Sequence, residues 1–316
     1  MKKAVYDYFK DLNKSDLDIV DGAFVRSLDK IKIVNFSKLD LVKCEYAGTE
    51  YFLKKWADIS AVNSLVFSSV YNDAGVLTPP IYPTVPSPKD EHDFDYLQNI
   101  WTIQQSVTSL DKPIIHIGGE FNESLYKHKL STQFSKSRWG ALIDTTTRDV
   151  FLKFMTEECL DQLVNMFLLD ELKTEVDRHP LNYFLYSNTN NGLYDGVIAI
   201  DLESSRISYK SNRKTFEQTI DSQYSAFTPI FTIDHFSVAE RISTIQELLQ
   251  SGKLSPSNIA TLKSAIAHDL PTTIRRTLDI PVIKNKIPQP NAQKYYDTYC
   301  QLWDYHRETL GKELEI

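Results

Sequence analysis

The chain has 316 residues, 42% hydrophobic and 12% aromatic, with a formal net charge of −7. That length suits one large domain or two lobes with a real core, and 17 Tyr, 16 Phe and 4 Trp exclude a disordered or low-complexity chain. The acidic balance argues against a protein built mainly to hold nucleic acid. Cys44, Cys159 and Cys300 lie far apart and form no CxxC pair. This disfavours a disulfide framework or a cysteine zinc site and fits a reducing compartment. The N-terminus lacks an apolar run of signal-peptide length, and no segment approaches 18 uninterrupted apolar residues. The expectation is a soluble protein without a transmembrane segment, cytoplasmic or delivered into a host cell by a route without a cleaved signal.

In chain order, "KIKIVNF" (30–36), "LDLVKCEY" (39–46) and "TEYFLKKW" (49–56) are rich in β-branched and aromatic residues and predict three strands. Ala47-Gly48 marks a short hairpin turn between the last two. A helix follows, with Ser60 as N-cap and Val62, Leu65, Val66, Ser69 and Val70 on one face. Gly75 ends it, and Pro79-Pro80 prevents continuation. "IYPTV" (81–85) and "IWTIQQSV" (100–107) predict two more strands, and 108–149 reads as irregular. From about 157 to 173, Leu160, Leu163, Val164, Phe167 and Leu168 form an apolar helical stripe. Two short strands follow, "YFLY" (183–186) and "GVIAID" (196–201). Ser255 with Pro256 opens a helix through about 268. Asn291 opens another, on which Tyr295, Tyr299, Leu302 and Trp303 share a face. The fold class is α+β and bilobal. A small antiparallel-sheet lobe with one helix (1–107) precedes a larger, mostly helical lobe (108–316), with a cleft between them.

Chemistry concentrates in "TEVDRHPLNYFLY" (174–186). Asp177 and Asn182 alone mean little, since a D-x-x-x-x-N pair occurs by chance about once in a chain of this length. An amphipathic helix delivers this pair, a strand follows it, and Asp201 ends the next apolar strand nineteen residues beyond Asn182. Phosphoryl transfer needs such a set: a carboxylate to orient the attacking hydroxyl and accept its proton, and oxygen ligands for Mg²⁺ on the phosphates. Asp177 is the candidate base, and Asn182 and Asp201 are the candidate metal ligands. A lysine on the third strand would hold the α- and β-phosphates. Side chains alternate on a strand, so only one of Lys54 and Lys55 faces the cleft. Lys54 is favoured and Lys55 is the alternative, against the blander reading of an edge strand protected by lysines.

In this order, lysine strand, helix, two strands, amphipathic helix, "DRHPLN", hairpin and "AID", the chain resembles the protein-kinase-like fold. The nearest flavour is the HipA-like group of bacterial serine/threonine kinases, including secreted CtkA-type kinases. Phosphoinositide kinases share the D-R-H-x-x-N loop. The likeness runs through 30–205 and is specific at 165–203. It implies ATP with Mg²⁺ or Mn²⁺, Asp177 as catalytic base, Asn182 and Asp201 as metal ligands, and Lys54 as the phosphate lysine. His179 and Arg178 would support the loop, and Asp170 within the preceding helix would either brace it or be a solvated helix residue. Adenine would lie against the backbone of Gln105 to Val107.

Three positions depart from that pattern. The nucleotide-covering loop "NFSKLD" has no glycine, leaving Ser37 and its backbone to cover the phosphates. Asn63 stands where the helix glutamate that pairs with the lysine belongs, with Asp58 as a substitute. "DLE" replaces D-F-G. Lys210, Arg213 and Lys214 lie where a substrate-facing segment would run, or form a solvated loop.

The leading expectation is a protein serine/threonine kinase, as a secreted effector or toxin or acting in its own cell. Aminoglycoside and choline kinases carry a D-x-H-P-x-N loop followed by "IDxE", which "DRHPLN" and "AIDLE" resemble through Pro180 and Glu203. A small-molecule or phosphoinositide kinase is therefore the second expectation. A pseudokinase, or a kinase fold transferring another part of the nucleotide, is the third.

Overall fold

The computed structural model describes residues 18–20, 23–25, 32–38, 41–46, 49–56, 59–79, 81–84, 100–107, 114–116, 148–149, 151–175, 178, 182–187, 192–203 and 237–316. Five antiparallel strands form the main sheet: β3 (Lys32–Lys38), β4 (Leu41–Tyr46), β5 (Thr49–Trp56), β6 (Ile81–Thr84) and β7 (Ile100–Gln105). Their spatial order is β3-β4-β5-β7-β6. Tyr46 sits opposite Thr49, so β4 and β5 pair as the predicted hairpin, while Ala47 and Gly48 lie outside the described residues. The register of β3 against β4 shifts between Phe36 and Lys38, a bulge that leaves Ser37 unpaired at the strand end. Two strands precede this sheet as a hairpin, β1 (Asp18–Val20) and β2 (Ala23–Val25). They were not expected from the sequence. Within 108–149, read as irregular, β8 (Ile114–His116) forms and pairs with β9 (Tyr183–Tyr186). β9 also pairs with β10 (Gly196–Ala199), giving a second, three-stranded sheet.

α1 (Ser60–Asp73) follows β5. Ser60 opens the helix rather than capping it, and the cap position is held by Ile59, which makes no side-chain cap bond. Gly75 takes a left-handed φ of 84°, and the Val76 N–H returns to the Tyr71 carbonyl at 2.8 Å, closing the end as the sequence suggested. The expected single apolar face is too narrow. Ala61, Val62, Asn63, Ser64, Val66, Phe67, Ser68, Val70 and Tyr71 are all buried, while Leu65 and Ser69 are only partly covered. α1 is enclosed because the sheet lies on one side and C-terminal helices on the other.

α2 (Glu157–Lys173) has the strongest local signals. Thr156 caps it by accepting the Cys159 N–H at 3.1 Å, with Glu157 and Glu158 in the first turn and Lys173 in the last. Its buried set extends beyond the predicted stripe to Asn165, Asp170 and Lys173. The remaining helices are α3 (Val238–Gln250), α4 (Pro256–Ala267), α5 (Leu270–Asp279), α6 (Pro281–Lys284) and α7 (Gln289–Leu314). Ser255 caps α4 with Pro256 at its first position, and α7 begins two residues before the expected Asn291. Tyr295, Tyr299, Leu302 and Trp303 are buried on one face of α7. Phe67 of α1 meets the rings of Tyr299 and Trp303 at 5.3 and 6.1 Å, so one apolar core runs from α1 through α2 to α7.

Candidate active site

β5 carries Tyr51 and Leu53 into the core on one face, and therefore presents Phe52, Lys54 and Trp56 on the other. Lys54 lies opposite Thr102 of β7, whose hydroxyl accepts the Trp56 indole N–H at 2.8 Å. The Lys54 ammonium lies 5.7 Å from the Trp56 ring centroid and donates to the Asp201 carboxylate. A Glu203 oxygen is 4.0 Å away. Burial opposes the lysine's charge, but the Glu203 and Asp201 carboxylates outweigh it and raise the Lys54 pKa. Burial together with the Asp201 charge pushes the Glu203 carboxyl upward, against the pull of Lys54. Asp201 follows β10 in a left-handed conformation, φ 53°, which aspartate tolerates better than most residues. Lys55 alternates to the other side of the strand, opposite Trp101.

Asn182 precedes β9 and is buried. Its backbone carbonyl accepts the Ile200 N–H at 3.1 Å, joining the two segments that carry the candidate metal ligands. Arg178 reinforces that joint. One guanidinium nitrogen donates to the Asn182 carbonyl and, at 2.8 Å, to the Ile200 carbonyl. The rest of the guanidinium faces Asp170, with Nε at 3.1 Å from one carboxylate oxygen and another nitrogen at 3.2 Å from the other. Asp170 is 0% exposed and also accepts the Tyr71 hydroxyl at 2.7 Å. It is a buried brace and not a solvated helix residue. Burial works against the Arg178 charge, yet Asp170 and Glu175 hold its pKa above the ordinary arginine value. Asp177 and His179 lie outside the described residues, between the fixed points Glu175, Arg178 and Asn182.

The turn into this loop is braced twice more. Lys173 and Glu175 form a fully buried pair at 2.5 Å, in which burial lowers the lysine's pKa. Arg241 of α3 reaches Glu171 at 3.1 Å and the Glu175 carbonyl at 3.2 Å. Thr174 bends the chain with φ 63°, an uncommon conformation for a β-branched residue.

The Asn63 amide is bonded to groups other than Lys54. Its amide nitrogen donates to the Glu203 carbonyl at 2.8 Å and the Leu202 carbonyl at 3.4 Å, while its oxygen accepts the hydroxyls of Tyr295 and Tyr299. The suggested substitute Asp58 lies outside the described residues. Besides Asp201, the carboxylate near Lys54 is Glu203, four residues past the end of β10. Sequence reading gave Glu203 no role beside the lysine, although its place two residues after Asp201 was visible. Tyr71, Tyr295, Tyr299 and Arg241 were also missed as parts of this surround.

Gln105, Ser106 and Val107 are buried where β7 ends, and the Ser106 N–H donates to the Glu50 carbonyl at 2.9 Å. Val107 packs with Leu77, Tyr186 and Ile198, an apolar bed under that strand end. Ser37 stands at the bulge of β3, on the far side of β4 from β5. The basic residues Lys210, Arg213 and Lys214 fall outside the described residues. Among the described residues no helix is long and apolar enough to cross a membrane.

No family model and no curated protein matches the chain. The crystal structure of CtkA, a proinflammatory kinase of Helicobacter pylori, is similar to 90% of this chain over 94% of its own, with a TM-score of 0.55 at 12% identity. HipA of Shewanella oneidensis MR-1, solved as a toxin–antitoxin system with HipB and operator DNA, aligns with 100% of this chain over 73% of its own, with a TM-score of 0.42 at 12% identity. With its small antiparallel sheets, its largely helical remainder and its agreement with the first of these structures, the chain has a kinase-like α+β fold of the CtkA kind.

Proposed function

We propose that the chain is an ATP-dependent phosphotransferase using Mg²⁺ or Mn²⁺, and that its acceptor is a serine or threonine hydroxyl of a protein. The observation that carries this reading is the meeting of Lys54 with Asp201, while Arg178 ties the backbone at Asn182 to that at Ile200. A strand lysine and a partly open carboxylate meet from segments far apart in the chain, and the backbone of Asn182 is bonded to the segment that leads into Asp201. Asn182 and Asp201 offer oxygen donors only, which suits a hard divalent cation that keeps waters and phosphate oxygens as its other ligands. When bound, that cation would neutralise charge developing on the phosphates.

The chain's own residues divide the remaining work. Lys54 stays protonated and offers its ammonium to the α- and β-phosphates, giving up part of its bond to Asp201. Glu203 keeps a carboxylate beside the lysine, in the role a helix glutamate would otherwise fill. Asp177 orients the acceptor hydroxyl and takes its proton as the oxygen attacks the γ-phosphorus, the bond from that phosphorus to the β,γ-bridging oxygen breaks, and ADP leaves with the bonding pair. Arg178 and Asp170 hold the loop that presents Asp177, which favours positioning as their contribution. Val107, Leu77, Tyr186 and Ile198 form an apolar bed suited to an adenine ring.

A small-molecule acceptor is the second reading, favoured by Glu203 beside Lys54 in an "AIDLE" context. The test is incubation of purified protein with labelled ATP, Mg²⁺ or Mn²⁺, candidate proteins and a panel of small hydroxyl compounds. Label in protein that Asp177→Ala abolishes supports the proposal. Equal labelling by wild type and Asp177→Ala overturns it. Label only in small compounds selects the second reading, and nucleotide binding without transfer selects a pseudokinase.

A further inference from the structure

We propose that Asn63 is a positioning residue that couples the C-terminal helix α7 to the metal-binding segment 201–203. This inference rests on the reading of Asp201 as a metal ligand. Asn63 is 0% exposed and belongs to α1, a different element from either group it joins. Its carbonyl oxygen accepts from Tyr295 at 3.1 Å and Tyr299 at 2.9 Å. Its amide nitrogen donates to the carbonyls of Glu203, at 2.8 Å, and Leu202, at 3.4 Å. An amide has two acceptor sites and two donor hydrogens, and all four are engaged here.

The two tyrosines do more than satisfy a buried group. The carbonyls of Leu202 and Glu203 can only accept, so the amide group facing them must be the nitrogen, and the oxygen is left to accept from the two phenols. The amide cannot flip, and its nitrogen must face the 202–203 backbone. Tyr295 and Tyr299 are one helical turn apart on α7 with ring centroids at 4.6 Å, and Phe67 packs on Tyr299. The oxygen side is therefore rigid. The nitrogen side holds the two residues that follow Asp201, whose left-handed φ of 53° needs support from its surroundings. A glutamate at position 63 could not donate to these carbonyls and would leave this backbone unheld. Asparagine holds it, and Glu203 stays near Lys54 on a segment that Asn63 itself anchors.

Asn63→Asp tests the coupling because it is isosteric. The carboxylate still accepts from both tyrosines but cannot donate to the Glu203 and Leu202 carbonyls. Tyr295→Phe/Tyr299→Phe removes the other side and leaves Asn63 in place. Mn²⁺ binding is measured by electron paramagnetic resonance in the presence of ATP, with apo-protein thermal unfolding alongside. Ile245→Ala, a core truncation on α3 that makes none of these hydrogen bonds, is the comparison for lost stability alone. The expected result is a roughly 10- to 100-fold weaker Mn²⁺ affinity in Asn63→Asp, a smaller loss in the tyrosine pair, and no loss in Ile245→Ala. Unchanged Mn²⁺ affinity in Asn63→Asp overturns the coupling, as does an equal loss in Ile245→Ala. If Asn63→Asp does not fold, the tyrosine pair decides by the same comparison. Wild type that binds no Mn²⁺ with ATP overturns the phosphotransferase reading itself, and the coupling with it.

Discussion

Asp170 and Arg178, eight residues apart, face each other through a two-point ion pair, with nitrogen–oxygen distances of 3.1 and 3.2 Å and both side chains fully buried. The pair spans the end of α2 and the loop beyond it. Through the arginine's remaining donors it also spans the backbone at Asn182 and Ile200. Removing one partner strands a charge in the interior. Asp170→Asn or Arg178→Met is expected to lower stability by about 3–5 kcal/mol. Urea unfolding measures this, and a cost near that of a surface pair would show that the brace carries little.

Lys54 and Lys55 are neighbours with opposite directions on β5, so their substitutions should separate cleanly. Lys54→Met is expected to abolish phosphoryl transfer and weaken ATP binding, because it removes the cation between Asp201 and the phosphates. Lys55→Met should leave both close to wild type. Single-turnover assays with labelled ATP check the pair, and equal losses would mean that strand geometry does not select the lysine.

Acid should weaken the fold through His306. Its Nε2 donates to the Leu172 carbonyl at 2.8 Å, and burial depresses its pKa from 6.5 to about 4. Between those values the unfolded chain binds a proton here that the folded chain does not. The contribution is present in full above 6.5 and is lost as pH falls towards 4, about 3 kcal/mol in total. His306→Gln can keep a donor for the Leu172 carbonyl and cannot titrate. Its unfolding free energy should depend less steeply on pH across that window than that of the wild type, and parallel pH profiles would assign the acid sensitivity elsewhere.

Gly196 opens β10 opposite Tyr186, and a Cβ built there would lie 2.3 Å from the Tyr186 ring. Gly196→Ala must displace that ring from the apolar bed it shares with Val107, Leu77 and Ile198. A stability loss of about 1–3 kcal/mol is expected, with weaker ATP binding. A variant as stable as wild type would show that the ring has room to move.

Where a local signal was strong, it could be read without the fold. The helix over Glu157–Lys173 has an apolar stripe, a threonine cap and acids in the first turn, and these short-range features decide where a helix begins and ends. α3 had a comparable signal that went unread: Ser237 and Glu240 form a capping box. α5 was harder, since three threonines lower its helix propensity and packing of Leu270 and Ile274 stabilises it instead. β1, β2 and β8 are three residues each and exist through pairing with a partner strand, which no local pattern announces.

The sequence by itself determined the order of the elements and the kinds of residue available for chemistry: a lysine strand, "DRHPLN", and an aspartate after an apolar strand. Tertiary structure decided what those residues touch. It set Lys54 against Asp201 and Glu203, made Asp170 a buried brace for Arg178, and bonded Asn63 to two tyrosines 232 and 236 positions away. The physical reason lies in burial. A polar side chain enclosed by several elements must satisfy its donors and acceptors with whatever groups packing brings near, and that choice is made across the whole chain.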